Sequence, residues 1–342
     1  MRISYEPLEL KVKHTLGIAH QGFSGDVFHN VVVRVEHEGL TGLGEAAPFF
    51  IYGENQRTVL AALETLAPVV ERAGDPWPAE RLMEELEQAL GGNYSAKAAI
   101  DMALYDLQGK LCGKPLYSLL GLRAQDTPLS TFTLYLGRPE AVREQVRLVA
   151  DWPLLKVKLG GENDLEVMEL VRAEAPDAII RVDANTAWEP RQALDMIREL
   201  VRYDVEFVEQ PLPAWNVEGM RWLHQQSPLP LIADESCQRL EDVPRLTGLF
   251  DGINIKLTKC GGIRHALKMI HCARALGLKT MLGCMVESGI SLSAAGQISP
   301  LVDYADLDGN TLLERDPFTG MQFDRCKLVL SEDPGLGVQP AD

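Results

Sequence analysis

The sequence predicts an α/β chain in which a parallel β/α barrel follows a smaller α+β segment. Three observations predict it. Lys158, Asp183, Glu209, Asp234 and Lys256 recur at intervals of 25, 26, 25 and 22 residues. Each closes a short apolar run and is followed by a helix-length segment, which is the period of a βα unit. The first third has another texture, period-two alternation and then helical spacing, and 342 residues leave room for one barrel and one smaller domain.

Taken in order, segments 1–14 and 29–38 alternate like antiparallel strands, and residues 14–30 between them, with Gly17, Gly22 and Gly25, read as a loop. A second loop, 46–55, carries Pro48, Phe49, Phe50 and Tyr52. Aromatic bulk in an irregular stretch suits a lid. From 56 to 120 the spacing is helical, with apolar Leu60, Leu63 and Leu66 and later Ile100, Ala103, Leu104 and Leu107. Eight strands follow, at 131–136, 154–159, 179–183, 205–209, 231–234, 253–257, 280–285 and 304–308, with amphipathic helices between them such as those bearing Val167, Leu170 and Val171 or Leu194, Ile197 and Leu200. After Gly309 only 326–330 resembles a strand, and the Pro/Gly tail at 334–340 is expected to pack back on the first domain. The division is thus 1–122 for an α+β cap, 123–322 for the barrel and 323–342 for the returning segment.

Composition excludes several classes. With 49 acidic and 33 basic residues the formal charge is −16, a field that repels phosphate backbones and anionic lipid surfaces. The partners expected are a small molecule and a second copy of the chain, with neither nucleic acid nor membrane. No apolar run is long enough to span a bilayer, and the charged, alternating start reads as a strand and not as a signal peptide. The six cysteines form no CxxC pair, so buried free thiols in a reducing cytoplasm are expected.

In a parallel barrel the strand ends converge on one face, so charges closing successive strands surround one cavity. Asp183, Glu209 and Asp234 together offer the carboxylate oxygens a hard cation such as Mg²⁺ prefers, and no His or Cys at those positions invites zinc. Any one of them alone reads equally as a helix cap or a lysine partner; three at successive strand ends favour the metal. Asn185, two residues past Asp183, is expected to orient a ligand or contact the substrate, and Glu235, beside Asp234, ranks as a supporting group that points away unless the chain turns there. Lys156 and Lys158 share one face of a buried strand, where Lys156 lowers the basicity of Lys158 or clamps a carboxylate. Lys256 closes the sixth strand, across the barrel from the second. Two amines on opposite sides of a metal-held carboxylate can remove a proton from one face of a carbon and return one to the other, with the metal offsetting the charge of an enediolate. Asp306 and Asp308, two apart on the eighth strand, suit a substrate ammonium, although Asp-Leu-Asp-Gly also reads as a turn. Thr133, on the first barrel strand, is a further substrate contact. Lys259-Cys260-Gly261-Gly262 reads as a tight turn or as a phosphate-gripping loop.

Gly44-Glu45-Ala46-Ala47-Pro48, Ala99 to Leu107 with Gly113-Lys114-Pro115-Leu116, Lys156-Val157-Lys158, Asp183-Ala184-Asn185, Glu209-Gln210-Pro211, Asp234-Glu235-Ser236, Asn254-Ile255-Lys256 and Pro334-Gly335-Leu336-Gly337 together resemble the enolase superfamily and, within it, the muconate-lactonising subgroup. The resemblance covers essentially the whole chain. It implies a modified TIM barrel, (β/α)7β, with an α+β N-terminal capping domain completed by the C-terminal tail and two loops that close over the substrate. It also implies Mg²⁺ on Asp183, Glu209 and Asp234, and Lys158 and Lys256 as acid/base pair, since a lysine base beside Mg²⁺ is what the superfamily uses. Asp306-Leu307-Asp308 is similar to the motif by which dipeptide epimerases hold an α-ammonium group.

The members that act on L-Ala-D/L-Glu call for an arginine from the first capping loop. Residues 14–30 contain none, and His20, Phe23 and Asp26 stand there instead, leaving Arg57 as the arginine that could serve a glutamate. Phe23 and Asp26 are therefore expected to contact an apolar or cationic second residue. The competing readings are L-Ala-D/L-Glu epimerisation, N-acylamino acid racemisation or o-succinylbenzoate synthesis, and a non-catalytic metal-binding scaffold.

Overall fold

A computed structural model describes residues 1–17 and 24–341 of the chain. The opening segment forms an antiparallel sheet of β1 (Arg2–Gly17), β2 (Ser24–His37) and β3 (Leu40–Ala46) in that order. Its inward face carries Val31, Val33 and Val35, all fully buried, and packs on the helices α1 (Gln56–Ala73), α2 (Ala79–Ala89) and α3 (Tyr94–Cys112). Strands β1 and β2 reach well into the stretch read as a loop, and His20 and Phe23 lie outside the described residues.

Strand β3 is an addition to the two strands expected. Gly42 and Gly44 weaken its strand signal, and the fold needs both. A Cβ at Gly42 would lie 2.0 Å from the carbonyl oxygen of Ala103, and one at Gly44 1.9 Å from that of Ala99, so only glycine lets α3 lie this close to the sheet.

After the short α4 (Leu116–Leu119) the chain enters an eight-stranded parallel sheet. Its strands are β4 (Phe132–Leu134), β5 (Leu154–Lys158), β6 (Ile179–Asp183), β7 (Val205–Glu209), β8 (Leu231–Ala233), β9 (Gly252–Lys256), β10 (Lys279–Gly283) and β11 (Tyr304–Asp306), hydrogen-bonded in chain order. A bridge between Ser130 and Ala305 joins first to last and closes the barrel. Because side chains two apart share a face, Phe207, Ile232 and Met281 form a buried apolar cluster inside the barrel, below its charged end.

Helices α5 (Pro139–Leu148), α6 (Asp164–Glu174), α7 (Pro190–Leu200), α8 (Val217–His224), α9 (Leu257–Cys260), α10 (Ile263–Ala275) and α11 (Gly289–Ile298) surround the strands. Helix α7 starts on a proline, whose missing N–H costs nothing at that position, and buries Leu194, Ile197 and Leu200 as their spacing requires. The exception is the β8–β9 connection, a 3₁₀ segment at Leu240–Leu246 in place of the expected helix. Pro244 inside it cannot donate to an α-helical ladder.

The barrel's apolar layer continues into the cap through Val32, Leu43, Ala98 and Met102. From the tail, Gly335 donates to the Lys114 carbonyl at 2.9 Å and accepts from Leu116 N–H at 2.8 Å. Asp106 ties three parts together, accepting Leu43 N–H from β3 and Leu336 N–H from the tail, each at 2.8 Å, and Lys110 Nζ at 2.7 Å. All six cysteines are free; Cys112 is exposed, and Cys272 and Cys284 are half-buried, so the thiols are not uniformly interior. Among the described residues no helix is long and apolar enough to cross a membrane.

Candidate active site

Asp183 and Glu209 close β6 and β7 as register partners, and Asp234 is the first residue past β8. All three are buried, and each offers a carboxylate oxygen within 4.8 Å of the others. Burial opposes ionisation of Asp183, but the Lys156 and Lys158 ammonium groups bring its pKa down to about 2. Asp234 is likewise held ionised against its burial, by Lys256 and Lys259. Glu209 goes the other way: burial, and then the Asp183 charge, push it up to about 7. Its Oε1 accepts Asn254 Nδ2 at 2.7 Å, and its Oε2 lies 2.8 Å from Lys156 Nζ but outside hydrogen-bond alignment. Three oxygens converging, with the buried Glu209 Oε2 left without a hydrogen-bond donor, fit a hard divalent cation.

The two amines stand across the barrel, because three strands separate β5 from β9 in a ring of eight. Lys158 Nζ donates to Asp183 Oδ2 at 2.7 Å, and Lys256 Nζ to Asp234 Oδ2 at 2.9 Å. Burial would lower the Lys256 pKa, yet Asp234 holds it above its ordinary value. Of the two roles expected of Lys156, tuning Lys158 or clamping a carboxylate, its contacts are with carboxylates. Its ammonium lies 3.0 Å from Asp183 Oδ2, 2.8 Å from Glu209 Oε2 and 2.6 Å from Asp306 Oδ2. Against the cost of burial these three carboxylates raise its pKa well above the ordinary value, so Lys156 is a fixed counter-ion beneath the cluster.

The last strand ends at Asp306, so Asp308 reaches the cavity from the turn that follows and not from a shared strand face. Both are buried there. Asp306 is bonded to Lys156 and to the Thr131 hydroxyl, which occupies much of its charge internally. Asp308 accepts Thr133 N–H at 2.6 Å, and burial followed by repulsion from Asp306 pushes it up to about 7. Of the two, Asp308 is therefore the one that still lacks a cation. Thr133 lines the cavity beside it.

Asn185 and Glu235 both line the cavity. Asn185 sits in the left-handed region at φ +41°, and its N–H donates to Asp183 Oδ1 at 2.9 Å. The chain turns after Ala233, which brings Glu235 inward instead of away; burial, and then Asp234, push it up to about 8. Asp26 lies exposed on β2 and is not among the described residues that line the cavity. Arg57, at the start of α1, is also exposed and outside the lining.

Over the opening, Ala47, Pro48, Phe49, Ile51 and Tyr52 form a roof, joined by Leu16 and Phe28 from the cap and by Met285 and Val286. Glu54 pins the end of this loop, accepting the N–H groups of Tyr94 and Ser95 at the start of α3 at 2.7 and 3.1 Å. Sequence reasoning missed three groups that hold the acids. Asn254 was recoverable, being two residues before Lys256 on one strand. Gln210, at φ +37°, accepts the N–H groups of Asp234 and Ser236, each at 3.0 Å. Lys259, read as part of a turn, donates to Asp234 Oδ1 at 2.6 Å.

Residues 140–342 match the family described as enolase C-terminal domain-like, and residues 18–121 the N-terminal domain of mandelate racemase / muconate lactonizing enzyme. The chain is 43% identical over 340 residues to an L-Ala-D/L-Glu epimerase of Bacteroides thetaiotaomicron, covering 99% of this chain and 88% of that protein. To a hydrophobic dipeptide epimerase of Roseobacter litoralis it is 36% identical, covering 98% of each. Among solved structures, the Enterococcus faecalis dipeptide epimerase complexed with Mg and L-Leu-L-Tyr superposes with a TM-score of 0.92 at 33% identity over 98% of both chains. The Methylococcus capsulatus dipeptide epimerase complexed with Mg and L-Arg-D-Lys gives 0.88 at 32% identity, again over 98% of each. With both domains matched and the acids and lysines gathered on one barrel face, the chain belongs to the mandelate racemase / muconate lactonizing enzyme family of enolase-like proteins.

Proposed function

We propose that the chain is a Mg²⁺-dependent dipeptide epimerase, inverting the α-carbon of the C-terminal residue of a free dipeptide. The observation that carries this reading is the placement of Lys158 and Lys256 on opposite walls, each ion-paired to a carboxylate of one buried triad. Asp183, Glu209 and Asp234 would hold the ion, whose charge offsets the negative charge that grows on the substrate carboxylate as the α-proton leaves. Lys158 takes or returns the proton on one face of that carbon, and Lys256 does so on the other. Lys156 sets a positive charge against Asp183, Glu209 and Asp306 from below. Asp308 receives the substrate ammonium, with Thr133 N–H fixing its carboxylate. The roof from Ala47 to Tyr52 excludes water.

For the side chain of the C-terminal residue we favour an apolar group. Among the described residues lining the cavity there is no arginine to pair with a glutamate, and Leu16, Phe28, Ile51, Met285 and Val286 supply an apolar wall. Two relatives in this family are named hydrophobic dipeptide epimerases, whereas the 43% identical one is named for L-Ala-D/L-Glu. We place the reaction in the cytoplasm, where an exposed thiol such as Cys112 stays reduced.

Incubation in D₂O with Mg²⁺ tests the reading. Deuterium at the α-carbon of the second residue, faster for L-Ala-L-Leu or L-Ala-L-Phe than for L-Ala-L-Glu, is the expected result. Preference for L-Ala-L-Glu would replace the side-chain assignment. Exchange in N-succinyl amino acids alone would replace the dipeptide.

A further inference from the structure

Asp234 has two lysines, and they differ in kind. Lys256 projects from the end of β9 into the cavity and donates to Oδ2 at 2.9 Å. Lys259 approaches from behind, from the four-residue helix α9, is only 4% exposed, and is absent from the cavity lining. Its Nζ donates to Asp234 Oδ1 at 2.6 Å, to the Asp234 carbonyl at 2.8 Å and to the Asn254 carbonyl at 3.0 Å. All three hydrogens of the ammonium are thereby used, and none faces a substrate. On the backbone side Gln210 holds the Asp234 N–H at 3.0 Å and bonds the Ser236 hydroxyl at 2.9 Å.

Resting on the reading that Lys256 is a base and Asp234 a metal ligand, we propose that Lys259 is the permanent counter-ion of Asp234, holding that carboxylate in place while Lys256 leaves it to serve the substrate. Until a cation binds, a base that is also the sole partner of a buried carboxylate could not leave it, because an unpaired buried charge is costly. Lys259 removes this conflict by neutralising Oδ1 and fixing the carboxylate plane. Lys259 is thus a positioning residue that never touches the reacting carbon. At Asp183 two lysines again share one carboxylate, but there both ammonium groups lie on Oδ2 and both lysines line the cavity.

The test is Mg²⁺ binding by isothermal titration calorimetry on the full chain, for the unmodified protein, Lys259→Met, Lys259→Gln and Lys256→Met, with thermal melts of each without metal. Loss of a group that orients a metal ligand weakens affinity by about 10- to 100-fold. That loss is expected for Lys259→Met, and a smaller one for Lys259→Gln, which keeps a donor but no charge. Lys256→Met is expected to bind Mg²⁺ within about threefold of the unmodified protein or more tightly, since it removes a competitor for Asp234. Should Lys259→Met fail to fold, Lys259→Gln carries the comparison. Undiminished affinity in a folded Lys259 variant, or a loss in Lys256→Met as large as in Lys259→Met, overturns the proposal. No Mg²⁺ binding by the unmodified protein would instead remove the metal reading itself, and this proposal with it.

Discussion

Lys158 Nζ lies 2.7 Å from Asp183 Oδ2, so one ion pair joins the proposed base to a proposed metal ligand. The same relationship recurs across the cavity between Lys256 and Asp234. A cation taken up by the acids competes with the amines for the same oxygens, which couples metal binding to release of the bases.

Metal removal should therefore stop the reaction reversibly. Dialysis against EDTA is expected to abolish α-proton exchange in D₂O, and added Mg²⁺ to restore it. Asp183→Asn should prevent restoration at metal concentrations that saturate the unmodified protein, as read by exchange and by calorimetric titration. Exchange that persists after chelation would dissociate the acids from catalysis.

Each lysine should be indispensable to inversion and dispensable to the fold. Lys158→Met and Lys256→Met are expected to slow epimerisation by about 100- to 10,000-fold, with circular dichroism unchanged. Loss of either base leaves one face of the carbon without a proton donor, so the two variants should also differ in which epimer still exchanges. Full activity in both would remove the proposed bases.

Asp308→Asn separates free dipeptides from acylated amino acids. A hydrogen bond to a charged group contributes roughly 1.5–3 kcal/mol, so KM for a free dipeptide should rise by about 10- to 100-fold. Any turnover of an N-succinyl amino acid should be unchanged or improved, because its partner carboxylate no longer repels it. Equal effects on both substrates would move the ammonium site elsewhere.

Glu287 offers a stability test away from the metal ligands. It is 3% exposed, its Oε1 has no hydrogen-bond partner, and burial, followed by the Glu45 charge, pushes it up to about 8. For a carboxyl raised above its unfolded value, the folded state is at full strength below the unfolded pKa and loses stability as pH rises to the folded one. Glu287→Gln removes that loss. Its melting temperature relative to the unmodified protein should be unchanged near pH 4.5 and should gain progressively up to about pH 8. A gain independent of pH would point to packing instead.

Gly44→Ala should loosen the cap. The added methyl meets the Ala99 carbonyl at 1.9 Å, a backbone atom that cannot turn aside. Overpacking costs about 1–3 kcal/mol where side chains can adjust, and more is expected here, measured as a lower urea midpoint.

Much of this site was legible because barrel geometry converts spacing along the chain into adjacency in space. Asp183 and Glu209 are neighbours because β6 and β7 pair, and Lys256 faces Lys158 because half the ring separates their strands. Alternation also located Lys156 and could have located Asn254, each two residues before a strand-end charge. That logic stops at the last strand residue. Glu235 and Asp308 lie past it and turn inward, while Asp26, within a strand, remains outside the cavity. Strand β3 was hidden for a related reason, since its two glycines weaken a strand by propensity and are required by the helix above them.

The sequence by itself determined a capped barrel, an acid triad and two opposed amines, because period and residue type suffice to assign strands and the charges that end them. Only the tertiary structure decided which cation belongs to which acid: that Lys156 spans Asp183, Glu209 and Asp306, and that Lys259 reaches Asp234 from behind. The direction of a side chain beyond a strand depends on turns whose conformation is set by neighbours distant in sequence, and electrostatic pairing follows distances that no spacing rule contains.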